Sequence, residues 1–229
     1  TLHALEIMHS DPKLNENKGT VLFHPEWHKG VIGIVASRLI EAFYRPTIVL
    51  TLSEGLITGS ARSIKGFDIY DAVDACGDLL EHFGGHTYSA CLSLKPENLD
   101  KFKERFENYV RTHLTEELSI PEIEIADKLA LQDVKRKFYD VLKQFAPFGP
   151  GNMSPVFETD NVIDAGKAKI VGNNHLKLEV FQRDVRSEPI SSIAFQQGEE
   201  NFAYIRDGNP FNICYHIEEN EWNGKKSFQ

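Results

Sequence analysis

The spacing of apolar and polar residues along the first half of the chain predicts strands that alternate with helices. Residues 20–23 and 47–51 are short runs rich in β-branched and apolar residues, as in buried strands. Between these runs, apolar residues recur at helical spacing: Val31, Ile34, Val35, Leu39 and Phe43. The helix is predicted to end before Pro46, because the residue that precedes a proline disfavours the α conformation.

The pattern continues as a hairpin, a helix, a strand and a last helix. Residues 56–61 are the expected partner of 47–51 across a turn at Glu54-Gly55. Asp68 is a predicted N-cap for a helix that runs past Leu80 and stops at Gly84-Gly85. Residues 90–94 form another predicted strand, and a helix opens at Pro96-Glu97. The order β-α-β-β-α-β-α predicts an α/β domain, with a mixed sheet and flanking helices, over residues 1–114.

The pattern then changes from layered α/β to short alternating runs. Residues 115–152 are predicted to form a helical connector, acidic and proline-containing at its start. Five strands follow, with turns expected at Asn173-Asn174 and Asn223-Gly224, near residues 156–171, 175–182, 189–195, 210–217 and from 225 onward. This predicts an all-β barrel of the OB type over residues 153–229, truncated at its C-terminal end.

Composition adds one constraint to this picture. The 229 residues are 41% hydrophobic and 26% charged, which is typical of a folded protein with one or two domains. Lys and Arg number 25 against 34 Asp and Glu, a formal net charge of −9, which argues at first sight against a nucleic-acid partner. The electrostatic attraction of a nucleic acid depends on the potential at its binding site, however, and not on the net charge of the whole chain. The charge therefore predicts weak, salt-sensitive, end-directed binding instead of coating of a strand.

The cysteines and the ends of the chain give further expectations. Cys76, Cys91 and Cys214 are an odd number without a CxxC pair, so we expect three buried free thiols in a reducing cytoplasm. No apolar run of membrane-spanning length and no Asp-His-His or HExxH motif occurs, which predicts neither a membrane span nor a metal site within the chain. A chain that begins at Thr1 and stops at Gln229 is expected to be an excised piece of a longer protein.

Four clusters carry candidate chemistry. The first is the glycine-rich helix start at residues 27–38, where free backbone N–H groups attract anions. The second, residues 59–66, combines Ser60 and Arg62 in a potential phosphate grip. The third is Phe83-Gly84-Gly85-His86, a bare backbone beside an imidazole. The alternatives that remain open are helix packing, a solvated turn, and a helix C-cap with an incidental histidine.

The fourth cluster is a basic surface with interleaved aromatic residues in the β-rich part. Such surfaces suit single-stranded nucleic acid, because bases stack on rings while the groove follows the phosphates. A solvated strand face is an equally good reading of the composition. The candidate residues are Lys167, Lys169, His175, Lys177, Trp222 and Lys225.

These motifs occur in an order that resembles the C-terminal part of the RecJ family of bacterial 5′→3′ single-stranded-DNA exonucleases. The resemblance covers nearly the whole chain and rests on five segments: WHKGVIGIVASRL, GSARSIKGFDI, FGGH, APFGPGN and EENEWNGKKSFQ. It implies a DHH-associated substrate-binding domain followed by an OB fold, in an enzyme of DNA repair and recombination. A preceding Asp-His-His domain, absent from this chain, would hold Mn²⁺ or Mg²⁺ and hydrolyse the phosphodiester. The chain alone is then expected to bind 5′-phosphorylated strands weakly and to cleave nothing.

The resemblance also implies roles for individual residues. Ser60 and Arg62 match the family's Ser-x-Arg, which grips the 5′-terminal phosphate. Gly84, Gly85 and His86 match its Gly-Gly-His motif, which faces the catalytic centre and the terminal nucleotide. His28 matches a histidine of the inter-domain cleft. Cys91 stands where the family usually has glycine, a departure that bears on strand packing and not on the ligand-facing motif.

Single-stranded DNA is the partner that the resemblance implies, with a single-stranded-DNA-binding protein as a second expected partner and no membrane. Two alternatives stay open at this point. One is another phosphodiesterase of the same superfamily that acts on short oligonucleotides or cyclic dinucleotides. The other is a non-catalytic module that binds a protein.

Overall fold

The computed structural model describes residues 1–149, 151–183, 188–222 and 225–228, and for residues 221–222 and 225–228 it describes the backbone alone. The chain divides into two compact units, residues 1–122 and 123–229. Each unit is built around its own main sheet. The boundaries expected at 114/115 and 152/153 stay predictions.

The first unit is a mixed sheet with helices on both sides, as predicted. Its strands lie in the order β1-β2-β3-β5-β4, and β1 runs parallel to β2 while the other neighbours are antiparallel. The elements are α1 (Leu2–Ser10), α2 (Pro12–Glu16), β1 (Thr20–Phe23), α3 (Ile32–Phe43), β2 (Thr47–Ser53), β3 (Leu56–Arg62), α4 (Ile69–Asp74), β4 (Leu80–His86), β5 (Ser89–Leu94) and α5 (Leu99–His113).

Alternation along β2 shows how the sheet holds two hydrophobic layers. Ile48 and Leu50 are buried in a cluster with Phe102 and Phe106 of α5. Val49, between them, is buried in a second cluster on the opposite face with Leu39 of α3. Because successive strand residues point to opposite faces, one short apolar run binds a helical layer on each side.

The helix predicted from Asp68 to beyond Leu80 is wrong in its second half. Asp68 does cap a helix, since its side chain accepts hydrogen bonds from the backbone N–H groups of Tyr70 and Asp71. That helix ends at Asp74, however, and residues 80–86 form the edge strand β4. The apolar residues of this segment are spaced as in a helix, but the backbone of β4 pairs with that of β5. Helices α1 and α2 were also not predicted.

The second unit is β-rich and includes two elements that the alternating pattern did not predict, strand β6 and helix α7. Its main sheet runs β10-β9-β7-β11, with β6 parallel to β7 and β8 paired with β9. The elements are β6 (Ile125–Lys128), α6 (Arg136–Leu142), β7 (Val156–Asp164), β8 (Lys169–Val171), β9 (His175–Gln182), β10 (Ile190–Ala194), α7 (Gly198–Arg206), β11 (Phe211–Tyr215), β12 (Glu219–Trp222) and β13 (Lys225–Phe228).

Both hairpin turns were expected from asparagine-containing pairs. Asn174, between β8 and β9, has φ +62°, the left-handed conformation that asparagine tolerates. The second pair, residues 223–224, lies outside the described residues, and the strands on either side of it pair with each other.

The three cysteines are free, but the expectation that all are buried is wrong. Cys76 is buried, whereas Cys91 and Cys214 are exposed. Both exposed cysteines lie on strands, Cys91 on β5 and Cys214 on β11. Each points to the more exposed side of its strand, while the residues before and after it point to the more buried side. No helix in the described part of the chain combines the length and apolarity needed to span a membrane.

The two glycines of β4 differ in the space that is available for a side chain. A Cβ added at Gly85 would lie 2.2 Å from the Ser89 carbonyl oxygen and 2.5 Å from the Ala90 Cα, whereas one added at Gly84 would meet nothing within 4 Å. We expect Gly85→Ala to lower the free energy of unfolding by about 1–3 kcal/mol, as overpacking does.

Chemical denaturation of both variants measures this. Gly84→Ala is the matched control, expected within about 0.5 kcal/mol of the parent chain. Equal stabilities of the two variants would contradict the close approach of β4 to β5 at Gly85.

Candidate functional site

Three neighbouring strands of the first unit present polar residues on one side. Residues paired directly across antiparallel strands point to the same face of the sheet. The pairing of β3 with β5 and of β5 with β4 therefore forms three cross-strand rows on one side, which together we call the polar face. The rows are Arg62–Ser89–His86, Ser60–Cys91–Gly84 and Thr58–Ser93–His82.

This arrangement brings together predicted site residues from two separate motifs. Ser60 and Arg62 come from β3, and Gly84 and His86 come from the edge strand β4. Adjacent rows lie about 7 Å apart and adjacent strands about 5 Å apart, from the usual strand dimensions. Between Cα atoms the polar face therefore measures about 10 by 14 Å.

Gly85, also predicted as a site residue, lies in a different row. It pairs with Ala90, which in turn pairs with Ala61, and both alanines are buried in the core. Its role in the structure is the close approach of β4 to β5 described above.

Arg62 and Ser60 meet the start of helix α3. The Arg62 guanidinium donates hydrogen bonds to the Ser60 hydroxyl, at 2.9 Å, and to the Ala61 carbonyl, at 2.8 Å. A Cβ added at Gly33 would lie 2.9 Å from Arg62 Nη2 and 3.1 Å from Ser60 Oγ. The first turn of α3 thus lies close to the ends of both side chains, and a larger residue at position 33 would displace the Arg62 guanidinium.

The same corner is suited to an anion. Both partners of Arg62 are neutral, so its positive charge is not compensated by them. No side chain caps α3, and the first N–H groups of a helix have no partner within it. The Arg62 guanidinium, the hydroxyl of the buried Ser60 and the N-terminus of α3 therefore lie close together, and we call these groups the anion corner.

His28 and Lys29 lie in the loop that leads into α3. The exposed His28 accepts a hydrogen bond from the Gly30 N–H at Nδ1, 3.0 Å away, which leaves Nε2 as the ring nitrogen that can donate to a ligand. The loop is held by the Thr51 hydroxyl, which donates to the Trp27 carbonyl. Lys29 lines a pocket together with Gly84 and Cys91 of the polar face.

The turn that carries His86 is tied to the segment that follows Arg62. Thr87 Oγ1 donates to Asp68 Oδ2 at 3.0 Å, and the Ile69 N–H donates to the Thr87 carbonyl at 3.1 Å. The Ser63 N–H donates to the Tyr88 carbonyl at 3.0 Å. These bonds hold the two ends of the first row in register. Sequence reasoning identified Asp68 only as a helix cap and missed Thr87.

The imidazole of His86 is oriented by its own turn. Its Nδ1 accepts a hydrogen bond from the Tyr88 N–H at 3.3 Å, and its Nε2 lies 3.0 Å from Ser89 Oγ. With Nδ1 as acceptor, Nε2 carries the proton and donates to the serine. The ring is therefore fixed in position while it remains exposed on the polar face.

Three of the basic residues predicted in the second unit lie on the outward side of the sheet formed by β8, β9 and β10: Lys169, His175 and Lys177. Lys169 pairs directly with Lys177, and Val171 pairs with His175. Lys167 differs, because its ammonium lies 2.6 Å from a carboxylate oxygen of Glu179. The side chains of Trp222 and Lys225 lie outside the described part of the structure.

Phe195 was missed by sequence reasoning and joins this outward side. Its ring packs edge-on against His175, with the ring centroids 5.2 Å apart, and it remains 66% exposed. It follows Ala194, which pairs with the inward-facing Leu176, so alternation places Phe195 beside His175. Phe195 is the last residue of the strand predicted over 189–195, and an aromatic residue at that strand end is the signal that could have identified it. Lys169, Lys177, His175 and Phe195 are called the basic strip below.

Comparison with known protein families assigns both units. The DHHA1 domain model matches residues 16–112, and the RecJ OB domain model matches residues 125–229. The chain belongs to the RecJ family. The resemblance expected from the motifs is confirmed, and so is the fold class of an α/β domain followed by an OB-type domain.

Curated relatives and solved structures extend the RecJ match to nearly the whole chain. The single-stranded-DNA-specific exonuclease RecJ of Bacillus subtilis (strain 168) is 34% identical over 206 residues, which cover 89% of this chain and 26% of the relative. The protein of the same name from Escherichia coli (strain K12) is 31% identical over 218 residues, 92% of this chain and 37% of the relative. The chain thus spans about a quarter to two fifths of these relatives.

Among solved structures, RecJ from Thermus thermophilus in complex with Mn²⁺ superposes with a TM-score of 0.76 and 26% identity, over 99% of this chain and 32% of that one. The same protein in complex with Mg²⁺ gives a TM-score of 0.72 and 28% identity, over 98% and 34%. Each unit therefore has the fold of the corresponding part of RecJ.

The link between Thr87 and Asp68 gives a prediction about the turn that carries His86. Thr87→Val removes the hydroxyl and keeps the shape, so the turn should lose about 1 kcal/mol of local stability. We expect about fivefold faster amide hydrogen exchange at Ile69, whose N–H bonds to the Thr87 carbonyl.

Thr87→Ser keeps the hydroxyl and serves as the control, with exchange close to that of the parent chain. If Thr87→Val and Thr87→Ser exchange at the same rate, the hydroxyl does not hold the turn.

Proposed function

We propose that this chain is the substrate-binding part of a 5′→3′ single-stranded-DNA exonuclease that acts in DNA repair and recombination. In this proposal the anion corner holds the 5′-terminal phosphate and the basic strip binds the strand that follows. The observation that carries it is the convergence of Arg62, Ser60 and the first turn of α3. Both relatives are named single-stranded-DNA-specific exonucleases, which supports the choice of substrate.

A terminal phosphate matches the anion corner better than an internal one. The terminal group carries more negative charge and more free oxygens, so a guanidinium, a hydroxyl and helix N–H groups can all bind it at once. The chain as a whole has a net charge of −9, which disfavours binding of nucleic acid away from the anion corner and the basic strip. Attraction at the anion corner, combined with the overall negative charge of the chain, favours binding of the end of a strand over binding of its interior.

The basic strip supplies a second, sequence-independent contact. Lys169 and Lys177 are like charges directly opposite each other on neighbouring strands, an arrangement that is unfavourable by itself. A phosphate between them would relieve that repulsion. Phe195, exposed beside His175, offers a ring on which a base can stack.

The hydrolytic step is proposed to lie outside this chain. Among the described residues, no three His, Cys, Asp or Glu side chains come together as a metal site, so the residues present do not fit a catalytic metal ion. RecJ of Thermus thermophilus was solved with Mn²⁺ and with Mg²⁺. We infer that a DHH domain of the longer protein holds such an ion, while the present residues bind and orient the substrate.

Two further expectations extend the proposal. The unpaired cysteines support a reducing compartment, and we propose the cytoplasm. A single-stranded-DNA-binding protein as partner stays a prediction from the resemblance. The match to the RecJ OB domain favours long single strands over cyclic dinucleotides as the substrate.

One prediction of this proposal concerns the anion corner. Arg62→Ala should weaken binding of a 5′-phosphorylated oligonucleotide about tenfold or more, since a charge-assisted hydrogen bond is lost. Binding of the same oligonucleotide with a 5′ hydroxyl should not change. Fluorescence anisotropy measures both affinities.

Arg38→Ala is the matched control for this experiment, because Arg38 lies on α3 but forms an exposed ion pair with Glu41. It should leave both affinities unchanged. If Arg62→Ala weakens binding of both oligonucleotides equally, Arg62 attracts nucleic acid only through its charge. The proposal that it binds the 5′-terminal phosphate is then wrong.

Another prediction of the proposal concerns the basic strip. Phe195→Ala should weaken binding of an oligonucleotide of about 20 nucleotides by about fivefold or more, since stacking contributes about 1–3 kcal/mol per base. Phe145→Ala, also at an exposed phenylalanine of this unit, is the control. Equal effects of the two substitutions on the long strand would contradict a role for the strip.

A further inference from the structure

The hairpin of β12 and β13, which we call the arm, stands apart from the main sheet of the second unit. Among the described residues its two strands pair only with each other, from Glu219 opposite Phe228 to Trp222 opposite Lys225. A two-stranded hairpin is at best marginally stable in water without packing against another element. A contact elsewhere in the unit is therefore needed to hold the arm in one orientation.

Glu219, the first residue of the arm, makes such a contact with helix α6 and the residue that follows it. Its carboxylate forms an ion pair with the Arg136 guanidinium, and Lys143 Nζ lies 3.8 Å from its other oxygen. The Glu219 side chain is only 11% exposed, whereas those of the two cations are 55% and 54% exposed. A carboxylate that is shielded from water interacts with its cations more strongly than an exposed one does.

Helix α6 is itself fixed to the main sheet of the unit. The Phe138 ring packs edge-on against Phe157 of β7, with the ring centroids 5.6 Å apart. Arg136 also pairs with Asp140, one turn along the helix, at 2.9 Å. A chain of contacts therefore runs from β7 through α6 to the base of the arm.

The base of the arm lies beside the basic strip. A groove of about 830 Å³ is lined by Glu219 and Asn220 of the arm and also by Ala194 and Phe195. Phe195 is the ring of the basic strip that is proposed to stack on a base. The orientation of the arm therefore decides how a strand that stacks on Phe195 meets it.

The far end of the arm carries residue types that suit nucleic acid. Trp222 and Lys225 are directly opposite each other next to the turn, three residues from Glu219. Three strand residues span about 10 Å, so a rotation about the base displaces this end more than any other part of the arm. An aromatic residue and a cation in paired positions match a base and its phosphate.

We propose that Glu219 is a positioning residue for single-strand binding. Held by Arg136 and Lys143, it fixes the orientation of the arm and so presents Trp222 and Lys225 to the strand. The proposal rests on the proposed function, since it takes a single strand as the ligand of the second unit.

Glu219→Gln tests the proposal by the sign of its effect. Removal of a negative charge by itself strengthens binding of nucleic acid, whereas a loosened arm weakens it. We expect Glu219→Gln to weaken binding of a single-stranded oligonucleotide of about 20 nucleotides about fivefold, since ordering a mobile arm costs binding free energy. Fluorescence anisotropy measures the affinity. Glu218→Gln, the same change at the exposed preceding residue, is the matched control and should bind as tightly as the parent chain or more tightly.

Two more variants show whether the ion pair is responsible. Arg136→Gln should cause a similar loss, and the double variant with Glu219→Gln should lose no more than either single variant, because both substitutions break one contact. Glu219→Asp keeps the charge and should restore most of the affinity. Additive losses, or no recovery in Glu219→Asp, would overturn the role of the pair.

The mobility of the arm without nucleic acid gives an independent readout. Trp27 and Trp222 are the two tryptophans of the chain, so in a Trp27→Phe background the tryptophan fluorescence reports on the arm alone. Its anisotropy decay should show more nanosecond local motion with Glu219→Gln than with Glu218→Gln. The far-UV circular dichroism of the two variants should be the same.

The outcomes distinguish this inference from the proposed function. Unchanged or tighter strand binding by Glu219→Gln, or unchanged mobility of Trp222, overturns the positioning role and leaves the anion corner intact. Binding by the parent chain that ignores the 5′ phosphate contradicts the anion corner alone, because the comparison at Glu219 needs only the strand. Failure of the parent chain to bind the strand overturns both proposals.

Discussion

The antiparallel register of β3, β5 and β4 is the constraint on which the rest of the first unit depends. Ile57, Leu92 and Leu94 are buried in the core, and Ser60, Arg62 and His86 belong to the polar face. A slip of one residue would exchange inward and outward positions along a strand. The same strand pairing therefore determines both the hydrophobic core and the polar face. Packing of the core holds the site residues in position.

Much of this arrangement could be predicted, because alternation is local. The runs at 20–23 and 47–51 are strands, and Ser60, Arg62 and His86 were singled out as ligand-facing residues. Strand β4 could not be predicted, because its backbone bonds go to β5 and the spacing of Leu80 and Phe83 also fits a helix. Ser89 and Ser93 were missed for the same reason, since their place on the polar face follows from that pairing.

In the second unit, too, some features follow from the local sequence pattern and others depend on contacts between residues far apart in the chain. Leu176, Leu178 and Val180 alternate with outward residues along β9, so Lys177 and His175 were placed on the exposed side from sequence alone. Helix α7 lies between two strands in a segment without a strong helical pattern, and its residue Ile205 joins the buried cluster under β9. Tertiary packing, which a local pattern does not record, stabilises it.

The central claim is that three separate segments form one site for a strand end. Titration of the isotope-labelled chain with a 5′-phosphorylated trinucleotide tests it most directly by NMR. The account predicts that the backbone amide signals of Gly33, Ser60 and His86 shift together, with one dissociation constant, and that the 5′-hydroxyl trinucleotide leaves them in place. Shifts confined to one of the three segments, or equal shifts with both trinucleotides, would contradict the account.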